Sequence, residues 1–228
     1  MHVGIIPDGN RRYMLKKGMD NLEKAYRLGI ERFYDLIDWS YEFDVDEITI
    51  YTLSLENLKN RSKEEIEILL NLFSENAISA MNDERVHKRK IRINICGDRN
   101  YFVKVLGQRG IEINNRFNEL EEKTKDYDGM KVNLAIAYGG RQEIINAVKE
   151  MIKENIEVNE ENIRKNLWIK SYPDLIIRTS EHRLSNFLLW QSAYSEIYFV
   201  NKLWEEFQKD DFIDIINDFK QREKRFGR

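Results

Sequence analysis

The sequence predicts one α/β domain over residues 1–228, with a mostly parallel central sheet of about six strands flanked by helices. Short apolar runs rich in β-formers alternate with longer charged segments of helical period. The apolar runs lack the regular alternation of a half-exposed sheet, which is typical of strands covered on both faces. Only two prolines occur, Pro7 and Pro173, and no Gly/Ser-rich linker or internal repeat divides the chain.

Six short apolar segments are the candidate strands. In chain order they are 2–7, 47–53, 91–97, 131–137, 174–179 and 196–200. Helical patterns occupy the intervals and the C-terminal region, at 20–43, 62–85, 99–125, 140–155, 159–167, 185–193 and 210–224. Strands that alternate with helices favour crossover connections and therefore a parallel sheet.

Composition and charge exclude several classes of protein. The chain carries a net charge of −3, so it is not a polycation built to coat nucleic acid, and we expect no nucleic-acid partner. The single cysteine, Cys96, excludes an intramolecular disulfide and a CxxC metal site, and its apolar setting predicts a buried thiol. No apolar run approaches the ~20 residues that span a bilayer, and the start MHVGII lacks the features of a signal peptide. We therefore expect a cytoplasmic protein, with peripheral contact at a membrane surface left open.

Four candidate strands run directly into polar sequence. DGNRRY follows the first strand, SLENLKNR the second, YGGR the fourth and RTSEHRLS the fifth. In open parallel sheets ligands bind outside the carboxyl ends of the strands, and these ends share one edge. The pattern predicts that the four loops meet there in a single binding site.

The loop DGNRR has the residues of an anion site. Gly9 allows close approach of the backbone to a ligand, and a helix that begins near Arg11 would offer free N–H groups to a phosphate. Arg11 and Arg12 add charge-assisted donors that suit phosphate oxygens. Asp8 would repel a phosphate unless a divalent cation lay between them, and Mg²⁺ is usually held by one or two carboxylates together with phosphates. Considered alone, the loop is equally well explained as an Asp-Gly-Asn turn with solvated arginines.

A second arginine-bearing loop favours the binding interpretation. RTSEHRLS places Arg178, Arg183 and Ser185 around another expected helix start, so two anionic groups could be held face to face. The loop after the second strand adds further polar side chains that could contact either ligand, namely Ser54, Glu56, Asn57 and Arg61.

Other motifs point to no further site. DDFID (210–214) matches an aspartate-rich magnesium motif, but it occurs once, and Asp210 and Asp211 are explained as helix-capping and first-turn acids. The glycines of YGGR fit a tight turn as well as a phosphate nest. The chain has no G-x-S-x-G, HExxH, P-loop or dinucleotide fingerprint. An arginine-rich site with one or two acids and no nucleophile suits ionisation of a diphosphate leaving group.

Five segments resemble, in order, the signature regions of the cis-prenyltransferases, the undecaprenyl diphosphate synthase family. They are HVGIIPDGNRRY, LSLENLKNR, YGGR, DLIIRTSEHRLSNFLLWQSAYSEIYF and QREKRFG, which together run from His2 to Gly227. The resemblance implies a sheet-and-helix fold with a hydrophobic tunnel, working as a homodimer with Mg²⁺. It also implies condensation of isopentenyl diphosphate with an allylic prenyl diphosphate to form Z (cis) polyprenyl diphosphate, in lipid carrier biosynthesis.

The resemblance assigns roles residue by residue. Asp8 is similar to the magnesium-linked residue of the family, and Asn57 to the residue assigned to proton removal. Glu196 corresponds to a second magnesium ligand that reaches the site from the partner subunit. The positions that match substrate-binding residues are Gly9, Asn10, Arg11, Arg12, Tyr13, Ser54, Leu55, Glu56, Leu58, Arg61, Arg178, Arg183, Leu184 and Ser185.

These positions divide between the two substrates. The first loop would grip the allylic diphosphate, whereas Arg178, Arg183 and Ser185 would clamp isopentenyl diphosphate. Arg225 and Gly227 fit the C-terminal segment that helps to close the partner's site.

The chain departs from the family pattern near the allylic site. Tyr26 stands where the family has a histidine, and no arginine precedes it, although Arg27 is a candidate replacement. Leu53 and Leu58 replace two aromatic residues, and the segment RTSE is one residue shorter than usual. Two alternatives therefore stay open. One is a divergent prenyltransferase with a different acceptor or only short products, and the other is a non-catalytic subunit of a heteromeric synthase.

Overall fold

Six parallel strands form the centre of the molecule. In the computed structural model, which describes residues 1–222, they are β1 (His2–Ile6), β2 (Glu47–Ser54), β3 (Arg92–Cys96), β4 (Lys131–Tyr138), β5 (Leu175–Thr179) and β6 (Glu196–Val200). Their order across the sheet is β3-β4-β2-β1-β5-β6, and every neighbouring pair is parallel. The predicted parallel sheet is confirmed, and each strand end lies within one residue of its expected position.

Helices fill the connections between the strands. They are α1 (Asn10–Lys16), α2 (Leu22–Glu42), α3 (Leu55–Asn60), α4 (Lys63–Asn82), α5 (Glu84–Lys88), α6 (Arg99–Thr124), α7 (Gly140–Lys153), α8 (Glu160–Asn166) and α9 (Lys209–Gln221), with a 3₁₀ turn at Trp204–Glu206. Six of the seven predicted helices are present in residues 1–222, with ends that differ from the prediction by at most three residues. None of the helices in this part of the chain has both the length and the apolar character needed to cross a bilayer.

The predicted helix over 185–193 is wrong. This segment is a series of turns, in which Ser185, Asn186 and Leu188 have positive φ values of 49°, 65° and 47°. Left-handed backbone interrupts a right-handed helix at each of these positions. The turns are fixed because Phe187 and Leu188 are buried and the Asn186 carbonyl accepts a hydrogen bond from the Gly140 N–H at 2.7 Å. Ser185 therefore does not lie at a helix N-terminus.

Apolar side chains cover both faces of the sheet. Ile5 and Ile177 belong to a large cluster with residues of α2, α4, α6 and α9, whereas Ile6 and Ile176 belong to a second cluster that contains Phe187. This two-sided burial explains why the strands show no hydrophobic alternation. Cys96 is buried as expected, and burial raises the pKa of its thiol.

The sheet order brings four loops to one edge. The strands β4, β2, β1 and β5 are consecutive neighbours, and they are the strands that the sequence leads into polar loops. Two of the loops are tied together, because the Thr179 hydroxyl lies 2.8 Å from the Asp8 N–H and 2.9 Å from the Asp8 carbonyl. The expected convergence of the four loops is confirmed.

Candidate active site

The loops after β1, β2, β4 and β5 surround the mouth of a cavity of about 1120 Å³, which exceeds the usual volume of a small-molecule pocket. Two carboxylates line this mouth, Asp8 and Glu56. Six arginines line it with them, namely Arg11, Arg12, Arg61, Arg141, Arg178 and Arg183. The excess of guanidinium groups suits an anionic ligand that carries more than one charge.

Beyond the mouth the lining of the cavity is mostly apolar, with a few polar side chains such as Asn76, Asp83 and Arg85. Strands β2, β3 and β4 supply one wall and helices α2, α4 and α6 the other, with Ile50, Ile95, Leu134, Phe33, Phe73 and Phe117 among the lining residues. The lining continues to Val86 and Ile91, which precede β3 at the opposite edge of the sheet. The cavity therefore extends from the mouth to the opposite edge of the sheet, a span comparable to the eight residues of β2, roughly 23 Å at about 3.3 Å per residue. An extended apolar chain fits such a lining.

Gly9 gives the first loop its shape. Its φ of 124° favours glycine, and a Cβ there would lie 2.9 Å from the Leu203 side chain. Helix α1 begins directly afterwards at Asn10, close to the expected start. The loop is also fixed by the 3₁₀ turn, since the backbone N–H of Trp204 donates to the Asp8 carbonyl at 3.0 Å.

Asp8 lies between two guanidinium groups. Its Oδ2 accepts from Arg178 Nη2 at 2.8 Å, and its Oδ1 accepts from Arg12 Nη2 at 3.1 Å. The side chain of Arg178 is only 3% exposed, whereas that of Asp8 is 32% exposed at the mouth. Arg178 also donates to the Ser185 hydroxyl at 2.7 Å and to the Arg183 carbonyl. The structure thus brings together the acid and the arginine that the sequence placed on different loops.

Glu181 links the arginines of the two loops. Its carboxylate oxygens lie 2.7 Å from Arg183 Nη1 and 2.8 Å from Arg12 Nη1. The charge of Arg183, followed by that of Arg12, holds the pKa of this carboxyl below its usual value. Glu181 was not among the predicted site residues, although its place between Arg178 and Arg183 in the sequence was a signal.

The loop after β2 leaves one amide free. The Ser54 hydroxyl accepts the Asn57 N–H at 2.9 Å and thereby caps α3. Glu56 accepts from the Asn186 amide at 2.9 Å. The side chain of Asn57 lines the mouth, and within residues 1–222 it makes no hydrogen bond.

Tyr26 occupies the mouth, whereas Arg27 does not. The Tyr26 hydroxyl donates to Glu65 and accepts from Arg61 Nη1 at 3.1 Å. Burial raises the pKa of Tyr26, so the phenol stays protonated. Arg27 pairs instead with Glu23 and Glu75, so it does not replace the missing arginine.

Some expected site residues are not brought to the cavity. Leu55 and Leu58 are buried in the core, and Leu184 packs against the second apolar cluster. Tyr13 does not line the cavity either; the Lys17 ammonium lies 5.6 Å from the centre of its ring. Their predicted contact with substrate remains a prediction.

Glu196 lies far from Asp8 within one chain. It begins β6 opposite Leu175 at the start of β5, whereas Asp8 follows the other end of β1. Its carboxylate pairs with Arg222 at 2.9 Å. Arg225 and Gly227 lie outside the described residues.

Comparisons with known proteins agree with this architecture. The family model for undecaprenyl diphosphate synthase matches residues 6–227. The chain belongs to the undecaprenyl diphosphate synthase family. This membership confirms the resemblance drawn from the five motifs and the interpretation of the chain as a cis-prenyltransferase.

A curated relative and two solved structures show how far the similarity extends. The chain is 43% identical over 237 residues to the tritrans,polycis-undecaprenyl-diphosphate synthase (geranylgeranyl-diphosphate specific) of Methanopyrus kandleri, covering 100% of this chain and 84% of the relative. It superimposes on the crystal structure of a probable undecaprenyl diphosphate synthase from Campylobacter jejuni with a TM-score of 0.81 and 34% identity, covering 100% and 98% of the two chains. Lavandulyl diphosphate synthase from Lavandula x intermedia, in complex with dimethylallyl diphosphate, gives a TM-score of 0.88 and 28% identity with the same coverage. The family's fold and synthase architecture therefore span the whole chain.

Proposed function

We propose that this protein condenses isopentenyl diphosphate with an allylic prenyl diphosphate and adds cis isoprene units to form a polyprenyl diphosphate. The observation that carries the proposal is one cavity with an arginine-rich mouth and a long apolar interior. The mouth suits two diphosphate groups and the interior suits the growing tail. The Methanopyrus kandleri relative is named for geranylgeranyl diphosphate, so this is the first primer to test.

The two diphosphates would bind on either side of Asp8. Residues Gly9 to Arg12, with Arg61, would hold the allylic diphosphate, and Arg178, Arg183 and Ser185 would hold isopentenyl diphosphate. The allylic C–O bond breaks and its diphosphate leaves while a C–C bond forms to the isopentenyl double bond. A proton then leaves the adjacent carbon to restore a double bond. The released diphosphate is the proposed acceptor of this proton, and the unpaired amide of Asn57 is the group proposed to assist its removal.

Mg²⁺ is the proposed cofactor, and Asp8 is its proposed protein ligand. Residues 1–222 contain no cluster of three or more metal-ligating side chains that could cage a cation. Mg²⁺ commonly binds through one or two carboxylates and substrate phosphates, and the partly exposed carboxylate of Asp8 at the mouth fits this arrangement. When bound, the ion would neutralise charge on the leaving diphosphate.

A homodimer is part of the proposal, with Glu196 serving the partner's site. The outer strand β6 exposes Ile197 and Phe199, 39% and 41% accessible, next to the exposed Tyr194. An unpaired sheet edge with apolar side chains favours a second copy as its cover. Because the product has a long apolar tail, its release at a membrane surface is also proposed.

The alternative functions have weaker support. The likeness to lavandulyl diphosphate synthase and the missing allylic-site arginine favour a divergent prenyltransferase with short products. The long apolar interior and the identity with the Methanopyrus kandleri relative favour chain elongation. A non-catalytic subunit would have no use for Asp8, Asn57 and Arg178 together in one mouth.

The test is incorporation of labelled isopentenyl diphosphate by the purified protein with Mg²⁺ and allylic diphosphates of increasing length. We expect a ladder of long products, and Asp8→Ala should lower the rate by about 10²–10³ because it removes a charge-organising group at the reacting centre. Asp20→Ala removes an acid that is 85% exposed on the loop before α2, and it should leave the rate unchanged. Failure of the folded wild-type protein to incorporate label with any primer would overturn the proposal.

A further inference from the structure

Glu65 is a buried carboxylate that contacts residues of the mouth from three segments. It is 5% exposed, although it lies in the first turn of α4. It accepts hydrogen bonds from Arg11 on α1 and from the Tyr26 hydroxyl on α2. Arg61 Nε, between α3 and α4, lies 3.4 Å from Glu65 Oε1. One side chain thus connects α1, α2 and the loop after α3.

The sequence position of Glu65 predicts a helix cap, but its carboxylate is used differently. Ser62 and Glu65 have the S-x-x-E spacing of a capping box, and the Ser62 hydroxyl accepts the Glu65 N–H at 3.2 Å. In a complete capping box the glutamate side chain would bond the N–H of the cap residue. Here the carboxylate turns to Arg11 and Tyr26 instead, so helix capping does not explain its burial.

The charges around Glu65 leave donors available at the mouth. Arg11 and Arg61 both line the cavity, and one carboxylate offsets one of their two positive charges. Arg11 directs Nε and Nη2 to Glu65, and Arg61 directs Nη1 to the Tyr26 oxygen. Arg11 Nη1 and Arg61 Nη2 take no part in these hydrogen bonds.

We propose that Glu65 is a positioning residue for the allylic diphosphate, holding Arg11 and Arg61 side by side so that their free Nη groups bind one diphosphate together. Tyr26 is a second link between the carboxylate and Arg61, beside the direct ion pair at 3.4 Å. The inference rests on the proposed function, because it names the groups that prepare its allylic subsite. Glu65 itself does not touch the substrate.

The proposal predicts the sign of a charge substitution. Glu65 has two opposing effects on diphosphate binding. Its negative charge repels the diphosphate, whereas its contacts with Arg11 and Arg61 organise the two arginines and so strengthen binding. Glu65→Gln keeps the shape of the side chain and removes its charge. If positioning dominates, the substitution weakens diphosphate binding although it makes the mouth more positive.

The measurements are steady-state KM values for both substrates and calorimetric binding of inorganic diphosphate. We expect Glu65→Gln to raise KM for the allylic diphosphate about tenfold, which corresponds to about 1.4 kcal/mol, and to weaken inorganic diphosphate binding similarly. KM for isopentenyl diphosphate should change by less than about twofold, because Arg178 and Arg183 are held by Asp8 and Glu181. Unchanged or tighter binding of inorganic diphosphate would overturn the proposal, as would equal changes in both KM values.

The neighbouring acid provides a matched control. Glu64 lies in the same first turn of α4 but is exposed and contacts no mouth arginine, so Glu64→Gln should leave both KM values unchanged. Tyr26→Phe removes only the bridge to Arg61 and should raise the allylic KM by less than Glu65→Gln does. In an Arg61→Ala background the effect of Glu65→Gln should shrink, since one of its two targets is gone. Full additivity would contradict an action through Arg61.

Two further measurements keep the test decisive. If Glu65→Gln fails to fold, Glu65→Asp retains the charge but shortens the reach to Arg11 and Tyr26, and it should still weaken diphosphate binding. Unchanged binding by a folded Glu65→Asp protein would count against the proposal. Diphosphate binding also separates the two claims, because it tests Glu65 even if the wild-type protein makes no product with any primer.

Discussion

Glu205 is a buried acid beside the first loop of the site. It is 7% exposed, and its Oε1 accepts from the Asn10 amide at 2.6 Å. Its Oε2 is buried without a hydrogen-bond partner among the described residues. Burial raises the pKa of Glu205 to about 7. The folded protein therefore binds this proton more tightly than the unfolded chain, in which a glutamate has a pKa of about 4.3.

Stability should consequently fall as the pH rises through the window between these two values. Below about pH 4 the carboxyl is neutral in both states, and above about pH 7 folding must bury its charge at a cost of about 2–4 kcal/mol. Glu205→Gln removes this cost, so its free energy of unfolding should rise relative to that of the wild type between about pH 4 and about pH 7. Denaturant unfolding at several pH values checks this.

The adjacent acid is the control for this pH dependence. Glu206 pairs with Lys16 at 2.5 Å, and this bond holds the pKa of its carboxyl below the usual value. The free energy of unfolding of Glu206→Gln should not rise relative to that of the wild type over the same pH range. A difference between wild type and Glu205→Gln that is constant with pH would contradict the assignment.

At this scale the sequence predicted five of the six arginines that line the mouth, all except Arg141, but it did not predict the roles of the buried acids Glu65 and Glu205. The arginines of DGNRR and RTSEHR can be recognised as anion-binding candidates, because they lie close together in the sequence and directly follow predicted strands. Glu65 lies 54 residues from Arg11, and Glu205 lies 195 residues from Asn10. Such pairs are set by tertiary packing, for which a local pattern carries no signal.

At the scale of elements, the junction between β3 and α6 depends on a glycine. Gly97 has a φ of 152°, and a Cβ there would lie 1.9 Å from the Ile136 carbonyl oxygen on the neighbouring β4. Gly97→Ala should therefore lower the free energy of unfolding by about 3 kcal/mol or more. The new residue would have to adopt a backbone conformation that favours glycine, and its Cβ would collide with the Ile136 carbonyl oxygen.

A second glycine separates these two causes. Gly18 has a φ of 61°, and a Cβ there would meet no atom within 4 Å. Gly18→Ala should lower the free energy of unfolding by only about 1–2 kcal/mol, the cost of placing a residue with a Cβ in left-handed backbone. Thermal or denaturant unfolding of both variants is the measurement, and equal losses would argue against the contact with Ile136.

The strands were predictable from sequence, whereas one helix was not. Strands β1 and β5 are buried on both faces and are therefore nearly continuous apolar runs between polar loops. The segment 185–193 has similar apolar content, but Phe187 and Leu188 are anchored in the core while the Asn186 carbonyl is bonded to the start of α7. That anchoring imposes left-handed backbone, which no local periodicity reveals.

At the scale of the whole molecule, the length of the cavity should set the length of the product. Ala77 on α4 is 4% exposed and lines the apolar interior. Ala77→Phe would place a ring inside the cavity and should shift products toward shorter chains by one or more isoprene units. The products of labelled reactions, sized by chromatography, provide the measurement.

The next residue along α4 is the control for this substitution. Ile78 is 40% exposed and does not line the cavity, so Ile78→Phe should leave the product distribution unchanged. A folded Ala77→Phe protein with the wild-type product distribution would contradict the role given to the cavity. From the sequence, this apolar interior was expected only because of the family resemblance. The cavity wall combines three strands and three helices that are distant in the sequence, so no local pattern reveals it.

The most direct test of the account is the configuration of the double bonds formed from geranylgeranyl diphosphate, isopentenyl diphosphate and Mg²⁺ by the purified protein. We expect a long polyprenyl diphosphate in which every newly formed double bond is cis, as determined by NMR of the isolated product. New trans double bonds, or no product from the folded protein with any allylic primer, would contradict it.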